Sequence, residues 1–246
     1  MLIAVDDADD PRLADYADLR HTPERDAVII EGTIALEQVA GSPYPLRSVL
    51  CFERHVDKVR AIVGTDATIY LAPEGVLRAT VGFDLHRGVV AACDRAPVAD
   101  VDGDVLVACE QLNDLENLGS LFRNARALGA DGVLLDPLTA DPLNRRSVRV
   151  SLGHVLRVPF ARATPWPLAR PSHTIAALTP GGDVEVDELA QLDGPVVVLV
   201  GAEGAGLSDD ALAAADLRVR VPMRHDVDSL NVATAVAIAL FAIIRR

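Results

Sequence analysis

The sequence predicts an α/β protein in two domains, the second built on a parallel sheet covered by helices on both faces. Three observations carry that prediction. Short, nearly continuous apolar runs recur along the chain, which is how strands buried on both faces read. Segments of helical periodicity, such as Val56 to Val63 and Asn117 to Leu128, separate them. The stretch from Asp94 to Asp104 has Pro97, Gly103 and four aspartates but few large apolar residues, so a domain boundary falls near residue 97.

Residues 1–21 hold Asp6, Asp7, Asp9, Asp10 and Pro11 and read as an acidic arm or a short packed helix. Residues 22–96 form the first domain. Val28 to Leu36 opens it, Ser48 to Phe52 is a strand, and Val56 to Val63 is a helix closed by Gly64. Thr68 to Ala72 is a strand, Pro73 to Thr80 a helix with proline in its first turn, and Gly88 to Cys93 a further strand. In residues 97–246 the alternation is cleaner. Val105 to Cys109 is a strand, Asn117 to Leu128 a helix stopped by Gly129, Gly132 to Leu135 a strand, and Thr174 to Leu178 a strand reached through a proline-punctuated loop. Val196 to Val200 and Leu217 to Val221 flank a helix starting near Ser208, an N-cap followed by the acidic first turn Asp209 and Asp210. Ser229 to Arg246 is one long helix with apolar residues on every side, either deeply buried or shared between its own core and a partner subunit.

Composition excludes several classes. The longest uncharged apolar runs, Pro195 to Ala202 and Val232 to Ile244, fall short of the roughly 20 residues of a bilayer span, so no membrane protein is expected. The acidic N-terminus lacks the basic start and apolar core of a secretion leader. Cys51, Cys93 and Cys109 are odd in number with no CxxC spacing, and the six histidines show no paired spacing, so neither a disulfide framework nor a metal site is expected. The chain reads as cytoplasmic. A net charge of -13 disfavours a nucleic-acid partner on average, but the charge is uneven. Residues 1–100 hold 17 acids against 10 bases, whereas Asp141 to Arg170 holds six arginines against one acid.

Three segments at turns after strands carry the chemistry, the place where open α/β sheets put their ligands. The first runs from Asn117 through Gly119 and Arg123 to Ala125: Gly119 allows the turn, and Asn117 either caps the helix or presents its amide to a ligand. The second, Gly201-Ala202-Glu203-Gly204-Ala205-Gly206-Leu207, lets backbone amides approach a ligand closely, and embeds the ionisable Glu203 in its tightest part. Its glycine spacing is not the dinucleotide pattern, and it lacks a phosphate-cradling lysine. The third is Val221-Pro222-Met223 followed by Ser229-Leu230-Asn231-Val232, where Ser229 reads first as a cap, and Asn231, lying inside the helix, needs a partner of its own.

Together these segments resemble the signature motifs of the SpoU (TrmH-like) family of RNA 2'-O-ribose methyltransferases: N-x-G-x-x-x-R-x-A, G-x-E-G-x-G-L, and I/V-P-M followed by S-L-N-V, in the family's order and spacing. The resemblance covers roughly residues 100 to 246, while residues 22 to 94 look more loosely like the family's small ribosomal-protein L30e-like substrate-binding domain, ending in His86-Arg87-Gly88. It implies an α/β fold whose C-terminal parallel-sheet domain contains a trefoil knot, S-adenosyl-L-methionine as cofactor, a tRNA or rRNA substrate, and a homodimer formed through the C-terminal domain. It further implies that Gly201, Val221, Leu230, Met223, Leu178 and Gly204 contact the cofactor, and that Arg123, Asn117, Glu203, Ser229 and Asn231 form the catalytic constellation. The arginine-rich stretch becomes the expected RNA-backbone surface through Arg145, Arg146 and Arg149, with Ser151-Leu152-Gly153 resembling the family's S-x-G element. Two departures stand out: Leu115-Glu116 precedes Asn117 where relatives frequently carry proline, and Arg224-His225-Asp226 replaces the small residues usual after P-M.

Methyl transfer to a ribose hydroxyl needs the oxygen held in line with the methyl carbon and help with its proton, and no metal. Arginine keeps its proton, with a pKa of roughly 12.5 or above. Arg123 therefore reads as a clamp on the phosphate beside the target ribose, with a phosphate oxygen or Glu203 as proton acceptor, and Asn117, Glu203 and Asn231 as a hydrogen-bonded frame. Two other readings are a catalytically silent RNA-binding or assembly factor on the same fold, and a nucleotide-binding α/β enzyme that uses Gly201 to Gly206 for phosphates.

Overall fold

The structure is a computed structural model of the 246-residue chain and describes residues 1–20, 26–85, 87–96, 101–224 and 227–245. His86, His225, Asp226, residues 21 and 22 at the expected end of the arm, and the boundary expected near residue 97 lie outside the described residues.

In chain order the first elements are β1 (Leu2–Ala4), β2 (Ala27–Glu31), α1 (Thr33–Glu37), β3 (Leu46–Cys51), α2 (Val56–Val63), β4 (Ile69–Leu71), α3 (Glu74–Val81) and β5 (Val89–Asp94). Then follow β6 (Val105–Cys109), α4 (Leu115–Ala127), β7 (Gly132–Leu135), α5 (Arg145–Val150), β8 (Phe160–Arg162), β9 (Thr174–Leu178), β10 (Val184–Glu185), β11 (Val196–Val200), α6 (Asp209–Ala214), β12 (Leu217–Arg220) and α7 (Val232–Ile243). Two compact units result: Met1–Pro97 with Leu143–Arg157, and Val98–Pro142 with Val158–Arg246.

The first unit is a mixed five-stranded sheet in the order β1-β4-β3-β5-β2, with β2 and β3 antiparallel to β5 and the other pairs parallel. Its first residues form a short packed helix and not an acidic arm. Leu2–Ala4 pairs with β4, and a 3-10 turn over Pro11–Tyr16, capped by Asp10, buries Leu13 and Tyr16 in the core with Ile29, Leu50, Leu77 and Val90. Apolar side chains spaced among the aspartates outweigh their charge there. The Tyr16 hydroxyl meets Ser48 Oγ at 2.6 Å, and burial drives its pKa far above the usual phenol range. Arg47 ties Asp15, Asp26 and Asp94 together at 2.6–3.1 Å.

A segment from the second half of the sequence completes this unit. In Leu143–Arg157, α5 packs on β2, Arg145 bonds Glu31 and lies over the Phe83 ring at 4.8 Å, and a Cβ at Gly153 would collide with the backbone of Ala35. This part of the arginine-rich stretch therefore takes part in the first unit's packing, with Arg145 and Arg149 half-buried and Arg146 exposed.

The second unit is a seven-stranded, all-parallel sheet in the order β10-β12-β9-β11-β6-β7-β8. Val197 and Leu199 of β11, Leu106 and Ala108 of β6, and Ile175 and Ala177 of β9 share one core cluster, as the continuous apolar runs require. From β6 the chain builds outward through β7 and β8, and then places β11 and β9 on the opposite side, so the chain's direction of growth reverses beside β6. The loops after β12, β9, β11 and β6 thus open side by side at the carboxyl ends of the strands, where such sheets bind ligands.

Two helices differ from expectation. Asp114 caps α4, its Oδ1 accepting from the N–H groups of Glu116 and Asn117 at 2.8 Å, so the helix starts at Leu115 and Gly119 lies inside it, not at a turn. Asn231, not Ser229, caps α7, which starts at Val232. The short strands β8 and β10 and helix α5 carry too few residues for a periodic signal.

Candidate active site

Loops after β9, β11 and β12 enclose a cavity of about 710 Å³. Gly201, Glu203 and Gly204 line it from the loop after β11, Leu178 from the end of β9, Val221 and Met223 from the loop after β12, and Ser229, Leu230 and Asn231 from the approach to α7. All six residues expected around the cofactor share this one cavity. The glycine loop is tight: Gly206 N–H donates to the Ala202 carbonyl at 3.0 Å, and a Cβ at Gly201 would strike the backbone of Gly206 and Leu207. Gly206 has a φ of 71°, in the left-handed region that favours glycine.

Asn231 is the hinge pin of the polar cluster. Its Oδ1 accepts from the N–H groups of Ala233 at 3.0 Å and Thr234 at 3.3 Å, which caps α7 and fixes the amide's orientation. Nδ2 must then point the other way. It donates to Asn117 Oδ1 at 2.6 Å and to Glu203 Oε1 at 3.2 Å. One amide therefore joins α4, the glycine loop and the start of α7. Because the Asn117 oxygen is taken, the Asn117 Nδ2 is the group left to donate onward. Asn117 is 8% exposed, whereas Glu203 and Ser229 are open to solvent.

Arg123 does not join this cluster within one chain. Six residues after Asn117, it lies about 240° around the helix, while Asn124, seven residues on, returns to nearly the same face. Accordingly Asn124 Nδ2 donates to the Ala233 carbonyl at 2.8 Å and locks α4 to α7. Arg123 is exposed, and its side chain has no hydrogen bond or ion pair among the described residues. Asn124 and Asp114 went unassigned in the sequence, although the seven-residue spacing and the Asp before a helical run were there to be read.

The lining supplies one carboxylate, Glu203, and no lysine or arginine among the described residues, with apolar walls from Leu178, Val219 and Leu230. That balance suits a neutral or cationic ligand with a large apolar face better than a polyphosphate. At the end of β6, burial, and secondarily Asp136, raises the Cys109 thiol well above its ordinary range, so no thiolate nucleophile is available there. Among the described residues, no group of three or more His, Cys, Asp or Glu side chains could hold a metal ion, and no helix is long and apolar enough to cross a membrane.

The arginine-rich stretch is mostly occupied with its own fold. Arg145 is engaged by Glu31, while Arg157, Arg162 and Arg170 donate to the carbonyls of Ala40, Asp136 and Val101. Ser151 is fully buried, its hydroxyl donating to the Val148 carbonyl at 3.0 Å and accepting from the Val155 N–H at 3.4 Å. Ser151 is thus enclosed by its own fold, while Arg145 is half-buried with Glu31 as its partner. Arg146 is exposed and Arg149 half-buried.

Known proteins resemble this chain in sequence and fold. Residues 104–241 match the SpoU rRNA Methylase family. An uncharacterized tRNA/rRNA methyltransferase of Mycobacterium tuberculosis is 40% identical over 96% of this chain and 89% of its own length. An AdoMet-bound rRNA methyltransferase from Sinorhizobium meliloti superposes with a TM-score of 0.82 at 27% identity, covering 99% of this chain and 98% of that one. An RNA 2'-O ribose methyltransferase superposes with a TM-score of 0.80 at 26% identity over 100% and 98% of the two chains. With the motifs in register, the cavity at the strand ends and a matched span of more than half its length, the chain belongs to the SpoU family of tRNA/rRNA methyltransferases.

Proposed function

We propose that this protein transfers a methyl group from S-adenosylmethionine to a ribose 2'-hydroxyl of structured RNA. The observation that carries the proposal is the Asn117–Asn231–Glu203 chain of hydrogen bonds at the mouth of a glycine-walled cavity. The residues present fit the cofactor. A cavity of about 710 Å³ has the size used for cofactor-sized ligands, its apolar walls suit an adenine ring, and Glu203 is a counter-charge for a sulfonium. Gly201, Gly204, Leu178, Val221, Met223 and Leu230 would hold it.

When bound, S-adenosylmethionine supplies an electrophilic methyl carbon for in-line displacement. The chain's own residues position and deprotonate the nucleophile. Asn117 Nδ2, left free by the bond from Asn231, donates to the ribose; Glu203 or a phosphate oxygen accepts the hydroxyl proton; Ser229, at the cavity rim, donates to the ribose or its phosphate. Arg123 keeps its proton and binds the phosphate next to the target, where its planar fork matches the oxygens and offsets the charge growing on the attacking oxygen. Arg146 and Arg149, on the first unit, are proposed to contact RNA phosphates there.

The unit acts as a homodimer. Helix α7 buries Val236, Ala239, Leu240 and Ile243 in its own core but leaves Phe241 52% exposed, with Ile244 just beyond its end 48% exposed, and a second copy of the C-terminal unit, with its trefoil knot, would cover that face. Arg123, whose side chain has no partner among the described residues, belongs with a site completed at such an interface. Nucleoside mass spectrometry of tRNA and rRNA from cells lacking the gene tests the activity. One 2'-O-methylnucleoside should vanish and return with the intact gene; an unchanged profile would favour the silent RNA-binding reading.

A further inference from the structure

Glu110 lies outside every motif read from the sequence, yet it holds both ends of the glycine loop. It is 4% exposed and directly follows β6. Its backbone N–H donates to the Val200 carbonyl at 2.8 Å, one residue before Gly201. Its side chain closes the other end: Oε2 accepts from the Ser208 N–H at 2.7 Å and Oε1 from the Ser208 hydroxyl at 2.8 Å. Ser208 Oγ also accepts from the Ala211 N–H at 3.2 Å, so the same hydroxyl starts α6. Oε1 takes a third donor, Trp166 Nε1, at 2.8 Å, and Trp166 packs against the core of the sheet. Between these anchors, Gly201 to Leu207 form one wall of the cavity, with Leu212 of α6 beside them.

We propose that Glu110 is a positioning residue for the cofactor: it fixes the span between Val200 and Ser208, and thereby the shape the glycine loop presents to S-adenosylmethionine. This rests on the cofactor reading above. Glycine has more freedom to lose on ordering than any other residue, so clamping both ends of a loop with three glycines before the ligand arrives lowers the cost of binding. Loosening the clamp should weaken cofactor affinity, with the loss carried in KM for the cofactor more than in kcat.

Titration calorimetry with S-adenosylhomocysteine on wild type, Glu110→Gln and Ser208→Ala decides it. Glu110→Gln turns one acceptor into an N–H2 donor facing existing donors, and should weaken binding by about tenfold. Ser208→Ala keeps the backbone bond to Oε2 and should weaken it by about threefold. Trp166 is the chain's single tryptophan, so a change in its emission in the ligand-free Glu110→Gln protein reports the opened clamp directly. Folded variants that bind within about twofold of wild type would overturn the inference, and should Glu110→Gln fail to fold, Ser208→Ala decides by the same criterion. Failure of the wild type itself to bind S-adenosylhomocysteine overturns the cofactor reading instead.

Discussion

Arg123 on α4 and Arg145 on α5 stand on helices whose first turns are capped by the same chemistry, Asp114 in one and Asn144 in the other, yet their guanidinium groups meet opposite surroundings. Arg145 faces the buried Glu31 and the ring of Phe83 and is part of the first unit's fold. Arg123 is exposed with no partner among the described residues, on a helix whose other face is locked to α7 through Asn124. The difference shows that a basic residue's role is set by what the fold places opposite it, not by the local density of positive charge. Removing a partnered arginine should cost stability, and removing an open one should cost activity.

The sharpest way to break that contrast is at Arg123. Arg123→Ala should lower turnover at saturating cofactor by roughly 100-fold or more, the effect of removing one aimed donor from a transition state, with an unchanged melting temperature. Arg123→Lys should recover only part of the rate, because a point charge lacks the planar fork; full turnover in the lysine variant would remove the phosphate-clamp role. Arg145→Ala should behave oppositely. It leaves the Glu31 carboxylate buried without its partner and should destabilise the protein by about 3 kcal/mol in denaturant unfolding, while Arg149→Ala should leave stability within about 0.5 kcal/mol of wild type.

Asn231→Ala lies between the two classes. Losing the α7 cap should cost about 1 kcal/mol of stability, and freeing Asn117 and Glu203 should lower turnover as well, so the variant moves both readouts where Arg123→Ala and Arg145→Ala move one each. The smallest effect expected is on the thiols. Burial pushes Cys51 up to about 11 and Cys93 up to about 12, and a neutral pH leaves both as inert thiols in the folded first unit. An aromatic disulfide reagent should titrate no thiol in the native protein and three after denaturation; rapid reaction of the native protein would place an open cysteine on one of the units.

Much of the second unit was legible in its residues. Val105 to Cys109, Gly132 to Leu135, Thr174 to Leu178 and Val196 to Val200 are strands over the spans their apolar runs predict, because a strand buried on both faces has no polar positions to blur its ends. Most of the cavity residues were legible through the segments Gly201–Leu207, Val221–Met223 and Ser229–Val232. What local sequence could not carry was pairing at a distance. Asn231 caps α7 through its neighbours, but its other partners, at positions 117 and 203, are far away in the chain. The partner of Arg145, Glu31, is 114 residues away in the chain. Leu2 to Ala4 becomes a strand only because β4 offers an edge, and no periodic signal exists in three residues.

The central claim is that the open polar cluster of the second unit methylates ribose oxygen rather than a base. Incubating the protein with total RNA and S-adenosylmethionine labelled in the methyl group, followed by alkaline hydrolysis, tests it most directly, because a 2'-O-methyl group blocks cleavage at its own phosphodiester. Label should appear in alkali-stable dinucleotides, and be lost from them with Arg123→Ala. Label released as mononucleotides would mean methylation of a base, and would contradict the roles given to Asn117, Arg123 and Glu203.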